Sequence, residues 1–239
     1  MIITLKRPGP VDPDKHIMPR AELHFDAPLT TDIEQTFAIA ERYGLSAVAF
    51  LNFNRKKDFQ AISAQAKAHP KVKGIFGVKV CYQRCPESKS YYYATLLAKN
   101  EQGLEGIKSI LATRQKKGGR WVVDLDAIRH NRHNLLVGSC GNQSELYDAF
   151  LRNAVKDFKD YFSRFFDFYQ LSLTTDEREQ EVYKQIYALG DELGVPVVAA
   201  GGYPLRPTAE MVDAFAYLGR NQSVAAVITN PQIIAANCE

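Results

Sequence analysis

Residues 174–200 read TTDEREQEVYKQIYALGDELGVPVVAA, and this stretch decides the fold class. Thr174-Thr-Asp-Glu177 has the form of a capping box, in which the threonine hydroxyl accepts from a backbone N–H and the glutamate returns the bond. Val182, Ile186, Leu189 and Leu193 then fall on one stripe at helical spacing. Gly194 stops the helix and Pro196 forbids its continuation. Pro196–Ala200 follows as a short run that is apolar throughout. A run of that kind suits a strand buried on both faces of a parallel sheet, with the helix as its crossover.

Working outward, the same unit recurs. Apolar, β-rich runs stand at Ala21–Phe25, Ala47–Leu51, Gly74–Val80, Tyr91–Leu97, Leu135–Gly138 and Phe166–Leu171, which makes seven strands with Pro196–Ala200. Thr31-Asp-Ile-Glu34 reads as a second capping box, followed by Ile33, Phe37 and Ala40 on one face and a stop at Gly44. Asn142-Gln-Ser-Glu145 opens another helix, with Leu146 and Phe150 turned inward. Leu104, Ile107 and Leu111 mark a fourth, and Met211, Phe215 and Leu218 a fifth that Gly219 closes. The aromatic run Tyr161–Tyr169 reads as core and strand. Pro8, Pro10, Pro13 and Pro19 make residues 1–19 an extended lead-in. Strand–helix alternation of this kind is α/β, either an open doubly wound sheet or a closed barrel; periodicity does not choose between them.

Composition narrows the function. Of 239 residues, 46% are apolar and 24% charged, which excludes wholesale disorder. A net charge of +3 does not by itself announce a nucleic-acid-binding protein. The four cysteines, Cys81, Cys85, Cys140 and Cys238, make neither a disulfide scaffold nor a paired C-x-x-C zinc site. No apolar run approaches the roughly 18 residues of a membrane span, so a soluble cytoplasmic protein is expected. Arg55-Lys-Lys57 and Arg114-Gln-Lys-Lys-Gly-Gly-Arg120, the latter followed by Trp121, are basic. They read either as phosphate contacts or as cations at helix ends. His130 and His133 sit in a polar stretch read as a solvated loop.

The phosphate-loop, dinucleotide, nucleophile-elbow and H-E-x-x-H motifs are all absent. Attention falls on the strand ends, where α/β proteins place ligands. They read Glu22-Leu-His-Phe-Asp26, Leu51-Asn-Phe-Asn54, Gly77-Val-Lys-Val80, Gly138-Ser-Cys-Gly141, Tyr169-Gln170 and Ala200-Gly-Gly-Tyr-Pro204. With Leu96-Leu-Ala-Lys-Asn100, Leu135-Leu-Val-Gly-Ser139, Leu193–Ala199 and Thr229-Asn-Pro231 in that order, the chain resembles the polymerase and histidinol phosphatase (PHP) domain of bacterial DNA polymerase III α subunits, of the PolC type.

The resemblance implies a distorted (β/α)7 TIM-like barrel over residues 20–239, as one domain with a C-terminal helical segment. It also implies a cluster of two or three metal ions at the strand ends, suited to phosphoester chemistry. Carried over position by position, the ligands are mostly gone. The opening H-x-H reads His24-Phe-Asp26, which leaves His24 and Asp26 as remnants. The next D-H pair reads Asn52-Phe53, the third-strand glutamate reads Lys79, and the following histidine reads Tyr93. The cysteine position falls at Gly141 beside Cys140, an acidic position at Gln170, and the late D-x-H reads Gly202-Tyr-Pro204. A divalent ion about 4 Å from Lys79 would be disfavoured by roughly 8 kcal/mol at an effective dielectric of about 20.

The proofreading nuclease that PolC-type subunits insert between the third and fourth strands has no room here, because only Val80–Tyr92 separates Lys79 from Tyr93. The expectation is therefore a catalytically inactive PHP-like module without cofactor, with replication proteins or nucleic acid as partners. Two alternatives stand beside it. One is a metal-dependent phosphoesterase rebuilt around His24 and Asp26; the other is an anion or phosphate site made of Lys79, Asn52, Gln170 and Ser139 in a mouth that Phe53 and Tyr93 plug or leave open.

Overall fold

The computed structural model describes residues 20–28, 31–52, 56–85 and 87–239; the lead-in 1–19, Phe53 and Arg55 lie outside the described residues. β1 (Ala21–Phe25) passes through α1 (Ile33–Arg42) to β2 (Ala47–Phe50), and α2 (Lys56–Ala68) leads to β3 (Lys73–Tyr82). These three strands are parallel, with Ala21 opposite Ala47 and Ala47 opposite Lys73. β4 (Tyr92–Ala98) follows, then α3 (Glu101–Ala112), a hairpin of β5 (Gln115–Lys117) and β6 (Arg120–Val123), α4 (Leu125–Asn131) and β7 (Leu135–Ser139). α5 (Glu145–Leu151) and α6 (Val155–Phe165) lead to β8 (Tyr169–Ser172), and α7 (Glu177–Leu193) leads to β9 (Val197–Ala200). α8 (Thr208–Ala214), α9 (Arg220–Val224), a π-helical turn (Ala225–Thr229) and α10 (Asn230–Ala236) close the order.

The result is a mixed α/β fold, a largely parallel sheet flanked by helices. The strand order is β1-β2-β3-β4-β7, with β6 on β3 and β5 on β6, and β8 pairs with β9. A parallel bridge from Gly138 to Phe168 carries the sheet from β7 toward β8. The uniformly parallel sheet is corrected at β4, which runs antiparallel to both β3 and β7. Residues 83–91 are too few for a crossover, so the chain turns straight back. The segment Val80–Tyr92 is correspondingly not all loop, since Val80, Cys81 and Tyr82 extend β3 and Tyr92 begins β4.

The helix starts also shift. Asp32 caps α1, accepting from the N–H of Glu34 (2.9 Å) and Gln35 (3.3 Å), where the sequence reading uses Thr31. Ser144 rather than Asn142 caps α5, and Asp176 rather than Thr174 caps α7. One residue closer to the helix in α1 and two in α7, an aspartate spans two free N–H groups and its charge favours the helix dipole. The aromatic run Tyr161–Tyr169 is the last turn of α6 and a short link, with the strand beginning only at Tyr169. The basic run 114–120 is not a helix end but the β5–β6 hairpin.

One core cluster lies inside the curl of the sheet. Ala21, Leu23, Ala47, Ala49, Leu51, Ile75, Leu97, Leu136, Phe168 and Val198 meet there, with Ile234 and Ala235 of α10 closing one end. A larger cluster packs the outer face against α3 to α8, and a third fills the space under α1 and α2. Among the described residues no helix is long and apolar enough to cross a membrane.

Candidate functional site

The site is built by the curl of the sheet and by one irregularity in β1. Between Glu22 and Phe25, β1 advances three residues while β2 advances two, from Val48 to Phe50. Such a bulge re-aims a side chain. It keeps Phe25 on the outer face with Phe37 and Phe50, and His24 turns inward. There His24 Nδ1 lies 3.1 Å from Gln170 Nε2 of β8 and 3.4 Å from Thr95 Oγ1 of β4. In a flat sheet with strands about 4.8 Å apart, β1 and β4 would be about 14 Å apart. Thr95 also donates to Gln170 Oε1 at 3.3 Å, and Ser139 Oγ accepts from the backbone N–H of Gln170 at 2.8 Å.

Beside this group, Asp26 receives a hydrogen bond from Asn52 Nδ2 and an ion pair from Lys79 Nζ at 3.7 Å. Lys79 also lies over the Tyr93 ring, 5.2 Å from its centre. The structure thus gathers Lys79 and Asn52 on Asp26, and Gln170 on His24, with Ser139 one step behind. Lys79 stands within β3 opposite Thr95 rather than at the strand's end.

Arg20, which the sequence reading passes over, and Glu22, which it quotes without giving it a role, lie behind this mouth. Both side chains are fully buried and joined at 2.7 Å. Glu22 further accepts from the backbone N–H of His24 (3.1 Å) and of Gly201 (3.1 Å), tying β1 to the turn after β9. A charged pair flanking the first apolar residue of a strand is the signal that marks them.

The donor set does not fit a metal cluster. Among the described residues no three His, Cys, Asp or Glu side chains converge. Burial pushes the Cys140 thiol up to about 11. Lys79 is paired with Asp26 at 3.7 Å, and that pairing occupies the carboxylate a metal would need.

His24 carries a testable electrostatic mark. Burial, followed by the Lys79 charge, lowers its pKa from 6.5 to about 4, opposed in part by hydrogen bonding with Gln170. Between those values the unfolded chain binds a proton here that the folded chain does not. The His24 contribution to stability is therefore constant above pH 6.5, falls as the pH drops toward 4, and amounts to a loss on the order of 3 kcal/mol in full. A His24 ring titration followed by NMR should have its midpoint near 4, and His24→Gln should flatten this part of the stability profile. A midpoint near 6.5 would contradict the assigned burial.

A family model for the PHP domain matches residues 29–173. The chain belongs to the PHP domain family. The PolC-type DNA polymerase III of Bacillus subtilis (strain 168) is 26% identical over 251 residues, covering 85% of this PHP chain and 17% of its own length. That of Streptococcus sanguinis (strain SK36) is 24% identical over 204 residues, covering 62% of this chain and 14% of its own. The PHP chain thus spans about a sixth of the length of these relatives. A solved structure, the lesion-specific endonuclease PfuEndoQ from Pyrococcus furiosus, aligns with a TM-score of 0.47 at 14% identity, over 78% of this chain and 48% of its own. That likeness is too low to bear on function.

Proposed function

We propose that this PHP domain is catalytically inert and serves as a structural or interaction module of a cytoplasmic replication assembly. The observation that carries the reading is the occupation of the two remnant ligands. His24 is held by Gln170 and Thr95, and Asp26 by Lys79 and Asn52. Phosphoester hydrolysis needs an activated nucleophile and charge stabilisation at the phosphoryl oxygens. Among the described residues the mouth offers one cation, Lys79, already paired with Asp26. The relation to PolC-type polymerases supports replication proteins or nucleic acid as partners.

The same reading takes the curled sheet as a distorted seven-stranded barrel over residues 20–239. Its support is the single inner cluster drawn from β1, β2, β3, β4, β7 and β9, and the Glu22–Gly201 contact where the first strand meets the turn after the last.

Equilibration of the purified chain with zinc or manganese, then gel filtration and elemental analysis, should find less than one metal per chain. Hydrolysis of a generic phosphoester should stay at background. Two or more metals per chain, lost together with activity in His24→Ala or Asp26→Ala, would overturn the proposal in favour of a rebuilt phosphoesterase. A rise in melting temperature with inorganic phosphate that vanishes in Lys79→Ala would overturn it in favour of an anion site.

A further inference from the structure

The β5–β6 hairpin is charged in a way the fold does not require. β6 is anchored by parallel pairing to β3, Val122 opposite Cys81 and Val123 opposite Tyr82, and both valines are buried. Beyond that anchor residues 114–121 are all exposed. Gly118 (φ 52°) and Gly119 (φ 80°) form a two-residue turn in the left-handed region, which glycine adopts without strain. The strands they join carry Arg114, Lys116, Lys117 and Arg120, with no carboxylate from Thr113 to Val123. Among the described residues none of these four cations has an acidic partner within ion-pair distance. Lys117 and Arg120 stand directly opposite each other across the ladder, an arrangement of like charges that destabilises a sheet.

Aromatic faces lie among these charges. Trp121 is 60% exposed and shares a face of the hairpin with Lys116, its cross-strand partner. The Arg114 guanidinium sits 5.5 Å from the Trp121 ring, and that of Arg120 5.3 Å from the Tyr91 ring. The adjoining cleft, about 480 Å³, has Arg114 and Lys117 on the hairpin side but also Asp124 and Asp126 in its lining. The unpaired positive charge is therefore presented by the hairpin.

We propose that this hairpin holds single-stranded nucleic acid. Arg114 and Lys116 on the Trp121 face, and Lys117 and Arg120 on the opposite face, contact phosphates of a strand that crosses the hairpin at its Gly118-Gly119 turn, and Trp121 stacks on a base. A polyanion supplies the countercharge that the fold withholds. The strand is single because the face of a base is open to Trp121 only when it is not stacked in a duplex. This deepens the module reading above and rests on it; the two tests fail separately, since this one involves neither metal nor the mouth.

Trp121 is the sole tryptophan, so its fluorescence reports the contact directly. Titration of the full chain with an oligo(dT) of about 12 nucleotides, within the span of known single-strand sites, should quench it to saturation. With four phosphates contacted, the logarithm of the binding constant should fall against the logarithm of salt with a slope of about −2.8. Arg120→Gln should reduce that slope by about 0.7. Trp121→Ala, followed by anisotropy of a labelled oligonucleotide, should weaken binding roughly tenfold or more. Both variants alter exposed residues and should melt with the parent. Absence of quenching at low salt, equal competition by a duplex or by poly-glutamate, or unchanged affinity in Trp121→Ala would each overturn the proposal.

Discussion

Replacing Arg20 with methionine is expected to cost about 3–5 kcal/mol of folding stability, a large share of the 5–15 kcal/mol typical of a domain. Arg20 and Glu22 are both fully buried. Arg20 Nη1 reaches Glu22 at 2.7 Å and Nη2 donates to the backbone carbonyl of Arg206 at 2.9 Å. Removing the guanidinium leaves a carboxylate away from water with backbone N–H groups for partners. Glu22→Leu should be comparably severe, because it strands the guanidinium and removes the acceptor of the His24 and Gly201 N–H groups. For that second reason the double replacement Arg20→Met with Glu22→Leu should remain below wild type, although an isolated buried pair can often be replaced by apolar residues without loss. Urea denaturation at constant m-value measures each case. A loss below about 1 kcal/mol in Arg20→Met, the size of a surface ion pair, would show that the pair is hydrated.

The second large effect lies where β7 passes β8. A methyl group at Gly138 would sit 2.2 Å from two ring carbons of Phe168, which is itself fully buried. Gly138→Ala should cost about 1–3 kcal/mol through overpacking. Phe168→Ala should cost about 3–5 kcal/mol, as the inner cluster loses its largest member. The double variant should cost less than the two together, because removing the ring vacates the space the methyl needs. A coupling of about 1 kcal/mol or more in that sense is expected from a double-mutant cycle. Strict additivity would mean the ring and the glycine do not share that space.

The strands were legible because burial on both faces writes itself as unbroken apolar runs, as in Val197–Ala200. The antiparallel turn of β4 was legible in principle from the shortness of the link before Tyr92, which a search for parallel units overlooks. The same holds for β5–β6. A Gly-Gly pair between short polar strands is a hairpin signal, but four cations draw the reading toward surface charge. In α6, Phe158, Phe162 and Phe165 recur at i, i+4 and i+7, a helical period masked by the density of aromatics. At the site, His24, Asp26, Asn52, Lys79 and Gln170 were read as strand-end residues, although Lys79 stands within β3 and Gln170 near the start of β8. Their pairing was not legible, since His24 meets Gln170 across 146 positions and only through a bulge that no local residue type announces.

The hydrogen bond from Gly201 to Glu22 joins residues 179 positions apart. A ribosome adding roughly 5–20 residues per second brings Gly201 out about 9–36 s after Glu22. For that interval Glu22 lacks one of its donors, and β1 is held by its pairing with β2. Loop closure over such a span comes late in folding. The nascent chain therefore passes through a stage in which β1 is paired along one edge alone, and a chaperone that shields one exposed strand edge would act on this protein at β1.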